Sequence, residues 1–222
     1  MNKKLKLTSA ILSTSLIITP ISGIINKNDN LAKAGEIKKE NNNIQKHIEY
    51  IDTQIYLENN NLKINKNNIL NYIKQNWNEI NINNQFKSPE DFYNKIQNSV
   101  HDLNKQVNSG FYKYNNNKGT TPKFQSRSSS GIQVENYWWG RETRMYDTED
   151  IDEAVYILRN ISKGATVIGI MSYAIAPLAV TSGVTGVYTA HMADKIEGWR
   201  YHGNCKLKVF WAGGYFTTDK LW

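Results

Sequence analysis

The sequence predicts an α+β protein: a small, mainly helical N-terminal module, a linker, and then a β–α–α–β module. Three observations predict it. Apolar residues recur at helical spacing through an otherwise polar first half. Alternating, aromatic-rich segments stand on both sides of a second helical region. A run of Asn, Thr, Ser and Gly separates the two parts.

The chain has 222 residues, 40% of them hydrophobic and 21% charged, which suits one or two small domains. Its single cysteine, Cys205, excludes an intramolecular disulfide framework, a Cys-based structural zinc site and a CxxC redox site. The formal charge of +7 is unevenly spread: about +4 falls in residues 1–34, about +4 in 35–130 and about −1 in 131–222. A nucleic-acid binder concentrates Lys and Arg on its folded part, so no nucleic-acid partner is expected.

Residues 1–34 read as a signal peptide. Lys3, Lys4 and Lys6 form the positive start, Leu7 to Ile25 is uncharged, and Ala32-Lys33-Ala34 supplies a cleavage pattern that leaves Gly35 first. The expected location is extracellular, either free or attached to membrane or cell wall.

Residues 35–108 read as an Asn-rich helical module or propeptide. Ile44, Ile48, Ile51 and Ile55 mark one amphipathic stretch, and Ile69, Tyr72 or Ile73, Trp77 and Ile80 a second. Between them, Tyr56-Leu57-Glu58 and Leu62-Lys63-Ile64 predict a short hairpin around Asn59-Asn60-Asn61. Ser88-Pro89-Glu90-Asp91 is a helix start, with a capping hydroxyl, Pro at the first helical position and two carboxylates at the positive end of the dipole. Phe92, Ile96, Val100, Leu103 and Val107 continue one face of that helix to Ser109-Gly110. Residues 109–131, rich in turn formers, read as a linker with trypsin-sensitive Lys118, Lys123 and Arg127.

The C-terminal module spans residues 132–222. Ile132 to Gly140, ending in Tyr137-Trp138-Trp139-Gly140, reads as a strand, and Arg141 to Tyr146 as a second one after the glycine. Asp147-Thr148-Glu149-Asp150 caps a helix over 149–163, with Ile151, Val155 and Leu158 on one face. Ala165 to Ala193 then carries no formal charge over 29 residues, and Pro177 divides it into two runs, each short of the ~20 residues that cross a bilayer as a helix. This predicts an uncharged helical hairpin, either buried or membrane-seeking. Lys206 to Trp211 and Tyr215 to Thr218 return to strand, with Gly213-Gly214 between them.

These parts resemble a loose group of small secreted Firmicute proteins of unknown function, some described as bacteriocin-like. The resemblance rests on Tyr137-Trp138-Trp139-Gly140, on the Gly/Ala-rich stretch Ala165–Ala193 and on the β-rich tail Cys205–Thr218. It implies no catalytic residue.

No catalytic, cofactor or metal site is expected. Cys205 and His202 stand three residues apart, whereas cysteine hydrolases bring the pair together from distant sequence, and His191, His202 and Cys205 match no usual zinc spacing. Asp147, Glu149, Asp150, Asp152 and Glu153 lack the ligand periodicity of a calcium loop, and helix capping accounts for them. The aromatic residues around the uncharged run suggest an interface belt or a stacking platform for wall sugars. The expectation is a secreted, non-enzymatic protein with a membrane-active, bacteriocin-like or toxin-like C-terminal module. It would contact a lipid bilayer through Trp138, Trp139, Ile168, Ile170, Ile175, Leu178, Val180, Val184, Val187, Trp199 and Trp211. The alternative is a secreted or envelope-associated module that binds a protein or glycan, with the hairpin as plain core.

Overall fold

The computed structural model describes residues 44–81, 86–123, 131–163, 186–211 and 216–222. The predicted signal peptide lies outside them, as do Ile168, Ile170, Ile175, Leu178, Val180 and Val184 of the uncharged run. The fold is mixed α+β.

The first half begins with α1 (44–53), whose Ile44, Ile48 and Ile51 are buried. A hairpin of β1 (Ile55–Glu58) and β2 (Asn61–Ile64) follows. Its two-residue turn is Asn59-Asn60, at φ 49° and 59°, and Asn61 already belongs to β2. Asn tolerates this left-handed backbone, which matches the twist of the paired strands. The second amphipathic stretch divides into α2 (Lys66–Gln75) and α3 (Trp77–Ile80). The break falls at Asn76, whose side-chain amide donates to the Tyr72 carbonyl at 2.9 Å and competes with the helical ladder.

Helix α4 (Pro89–Asn108) starts where its sequence signals place it: the Ser88 hydroxyl accepts from Asp91 N–H at 3.1 Å. Phe92, Ile96, Val100, Leu103 and Val107 are all buried. Ser109 caps the helix, and Gly110 turns the chain at φ 85°.

Residues 109–131, read as a linker, instead contain β3 (Tyr112–Tyr114) and β4 (Thr120–Pro122), which pair with each other and open a six-stranded antiparallel sheet. Tertiary contacts hold this polar segment. The Thr120 side chain is buried and meets Gln106 of α4 at 2.9 Å, and the Tyr114 hydroxyl donates to Asn104 of α4 at 2.6 Å. Strand β4 meets the next strand, β5 (Gln133–Tyr137), through the register pair Thr120↔Asn136.

The sheet continues in the order β5, β6 (Gly140–Met145), β7 (Cys205–Phe210), β8 (Phe216–Asp219), all antiparallel. Between β6 and β7 the chain forms α5 (Thr148–Ser162) and α6 (Gly186–Glu197). Asp147 caps α5 by accepting from Asp150 N–H at 2.8 Å, while the Asp150 carboxylate reaches back to Tyr146 N–H at 3.1 Å. Ile151, Ala154, Val155 and Leu158 of α5, with Met192, Ala193 and Ile196 of α6, pack on Met145, Cys205, Leu207, Val209 and Phe216 of the sheet.

A second core joins the two halves of the chain. Ile48, Ile51, Ile69, Ile73, Phe92 and Ile96 of the helices share it with Tyr137, Trp138, Trp139, Phe210 and Trp211. Trp138 and Trp139 form the two-residue turn between β5 and β6; they do not extend β5, and the strand read over Ile132 to Gly140 stops at Tyr137. The C-terminal part thus has a core of its own under α5 and α6, while the core of the first half is completed by C-terminal aromatic residues.

Candidate functional site

The structure places the expected bilayer-contacting tryptophans in the interior. Trp138 is only 1% exposed, and its indole N–H donates to the Asp52 carboxylate at 2.8 Å. The same carboxylate meets the Lys118 ammonium at 2.6 Å. Trp139 stacks between Tyr137 and Phe210, at centroid distances of 4.6 and 4.5 Å. The Trp211 indole donates to the Trp138 carbonyl, and its amide to the Trp139 carbonyl at 3.0 Å. In this fold the three indoles are core, and assigning them to an external interface is corrected by their burial. Trp199 is half-buried against the α5–α6 core, and Val187 falls in the first turn of α6. No described helix is long and apolar enough to cross a membrane.

Residues from the two faces of the sheet separate by register. Thr143 and Met145 of β6 share the α5–α6 side with their partners Leu207 and Cys205. The alternate positions bring Gln133, Glu135 and Tyr137 of β5 beside Arg144, Glu142 and Gly140 of β6, with Lys206 and Lys208 beyond on β7 and Asp219 and Thr217 on β8. Glu135 and Glu142 are direct cross-strand partners, 4% and 6% exposed. Like charges so placed repel. Arg144 resolves this: its Nε donates to Glu142 Oε1 at 2.7 Å and its Nη2 to Glu135 Oε2 at 3.2 Å. Glu135 also accepts from the Tyr137 hydroxyl at 2.6 Å and from Gln133 at 3.0 Å. Lys208 Nζ stands 3.7 Å from Glu142 Oε2.

The electrostatics follow from this packing. Burial pushes the Tyr137 hydroxyl above its usual range and the Glu135 carboxylate adds to that, so it remains a donor at neutral pH. Burial lowers the Arg144 guanidinium, but the Glu142 and Glu135 carboxylates outweigh it and the net shift is upward. At the outer end of the face the Tyr146 hydroxyl meets Gln133 at 2.7 Å, and Trp222, 69% exposed, stacks on the Tyr146 ring at 5.9 Å and 26°. The result is a row of fixed donors and acceptors ending in an open indole.

Sequence reasoning missed Glu135, Glu142 and Arg144. The signal was present as polar residues at every second position, in 133–137, 142–146 and 206–208. It reads as an ordinary solvated sheet face until the strands are paired.

Cys205 begins β7 in the α5–α6 core, and burial, with a smaller effect of Asp219, pushes its thiol up to about 12. It is therefore protonated at neutral pH and packs as an apolar residue. Of the acidic cluster, Asp147 and Asp150 serve the α5 cap and Asp152 pairs with Arg200 at 2.8 Å. Among the described residues no group of three or more His, Cys, Asp or Glu is arranged for a metal ion. An open groove of about 430 Å³ lies along Asn61, His101, Asn104, Lys105 and Asn108, but Asn104 is already committed to both backbone groups of Leu62.

One polar cluster lies in the helical half. His47 of α1 is 2% exposed; its Nδ1 is 2.9 Å from the Tyr72 hydroxyl, and its Nε2 is 3.4 Å from Glu79 Oε2 without a hydrogen bond. Lys46 pairs with the same Glu79 at 2.7 Å, and Tyr50 stacks on Tyr72. Burial pushes the His47 imidazole below its usual value, Lys46 adds to this, and Glu79 opposes it. A lowered folded-state pKa means that the unfolded chain takes up the proton first. The contribution of His47 is therefore intact above about pH 6.5 and is lost as the pH falls through the lowered folded value. Stability should fall between pH 7.5 and 5.5, by at most about 1.4 kcal/mol per pH unit from this group. Urea midpoints of His47→Gln should show a flatter dependence over that window. An unchanged slope would remove His47 as its cause.

Comparisons with protein-family models, curated proteins and solved structures found no match to this chain.

Proposed function

We propose that the protein is a secreted, non-enzymatic binding module associated with the cell envelope. The observation that carries this reading is the burial of Trp138, Trp139 and Trp211 in a core shared by both halves of the chain, which removes the strongest interface anchors from the surface. The described end of the uncharged run adds support: Thr189, Met192 and Ala193 of α6 are buried, and the two α6 apolar residues pack on α5 and the sheet. The charge-balanced polar face of the sheet supplies a binding surface. In this proposal the signal peptide delivers residues 35–222 outside the cell, and the uncharged run serves the fold and not a membrane.

A membrane-active, bacteriocin-like role is the second reading. The 29-residue run from Ala165 to Ala193 without formal charge favours it. One experiment separates the two. Purified residues 35–222 should cosediment with cell-wall sacculi and release no dye from vesicles of phosphatidylglycerol and phosphatidylcholine. Dye release without wall binding would reverse the order of the two readings.

A further inference from the structure

We infer that the polar face of the sheet, closed at one end by Trp222, is a binding site for a neutral, hydroxyl-rich oligosaccharide. This rests on the binding-module reading and names its ligand class. Three features carry it, and each answers a different need of a sugar.

The first is the stacking platform. A pyranose ring presents an apolar C–H face, which an aromatic ring covers well. Trp222 is 69% exposed while its indole is held on the Tyr146 ring, and Tyr146 is held in turn by its hydroxyl on Gln133. The adjacent backbone is also anchored, since Leu221 N–H donates to Asn204 at 3.0 Å. An indole fixed on one face and open to solvent loses little freedom on binding.

The second is the row of polar groups beside it. Sugar hydroxyls both donate and accept, so a site needs both kinds of partner in fixed positions. Gln133, Glu135, Glu142 and Arg144 are oriented by one another through bonds of 2.7 to 3.2 Å. Glu135 and Glu142 are buried, 4% and 6% exposed, and hold in place the partly exposed Arg144, Gln133 and Lys208, while Asp219 on β8 stands exposed as an acceptor.

The third is charge. Arg144, Lys206 and Lys208 share the face with Glu135, Glu142 and Asp219. Three cations balanced by three carboxylates neither attract nor select a polyanion, so a neutral glycan fits better than a phosphate-rich wall polymer. From Glu142 to Tyr146 the strand runs roughly 13 Å, at about 3.4 Å per residue, so the site spans more than one sugar unit.

Tryptophan fluorescence tests this on residues 35–222. Trp138, Trp139 and Trp211 are buried and Trp77 and Trp199 half-buried, so Trp222 is the most exposed of the six indoles. Titration with chitohexaose and, separately, with cellohexaose should give a saturable change for at least one of them. Trp222→Ala should weaken that binding at least tenfold, Trp222→Phe should keep most of it, and Glu142→Gln should weaken it several-fold. The arm that saturates identifies the source as an N-acetylglucosamine or a glucose polymer. No saturation with either sugar, or equal binding by Trp222→Ala, would overturn the assignment. Cosedimentation of the same variants with sacculi separates the levels. Wall binding that survives Trp222→Ala rejects this site and keeps the binding module; no wall binding by the unmodified chain rejects both.

Discussion

Gly140→Ala is expected to abolish the fold. Gly140 opens β6 directly after the Trp138-Trp139 turn, at φ 153°, and pairs with both Tyr137 and Phe210. A Cβ added there would stand 2.0 Å from the Val209 carbonyl oxygen and 3.1 Å from Phe210 Cα. Those are backbone atoms of β7, the strand paired with β6, so the overlap is relieved only by separating the two. Losses above about 4 kcal/mol are reserved for defects of this kind. Circular dichroism and urea unfolding of the variant should show no cooperative transition. A variant folded within about 1 kcal/mol of the parent would mean that β6 and β7 do not approach at this register.

Trp138→Ala is expected to cost about 3–5 kcal/mol, the range for emptying a buried large aromatic site. Besides the cavity, it leaves the Asp52 carboxylate without its indole donor and removes an edge contact to Trp211 at 6.3 Å. The loss should couple the two halves of the chain, so that near-ultraviolet signals from the sheet and helical signals from the first half shift together in urea. Trp199→Ala, at a half-buried site, should cost distinctly less. Equal and small losses for the two would return Trp138 to the surface and with it the anchor role the sequence suggests.

Local signals carried much of the fold. Helix α4 is written in Ser88-Pro89 and in five apolar residues at helical spacing, and α5 in its Asp147 cap; each depends on residues within a few positions of one another. The strands β3 and β4 were hidden because Tyr112–Tyr114 and Thr120–Pro122 are short and polar, and their stability comes from side-chain contacts with α4 that their own pattern does not signal. Trp138 and Trp139 continue an aromatic stretch, and only the register of β5 on β6 turns them into a hairpin end. The polar face was hidden for the same reason. Glu135, Glu142 and Arg144 are unremarkable singly, and become a connected site when antiparallel pairing sets them side by side.

The join between β4 and β5 has a mechanical consequence. Six strands stand in one sheet, yet a single register pair, Thr120↔Asn136, ties the first two to the remaining four among the described residues, whereas β6 and β7 share six such pairs. A pulling force, or a thermal opening, should thus part the molecule along this join, leaving β5–β8 with α5 and α6 on one side and α1–α4 with the small strands on the other. The Trp138-Trp139 turn then acts as a plug that must be drawn from its socket, and its withdrawal sets the resistance of the protein to being pulled open.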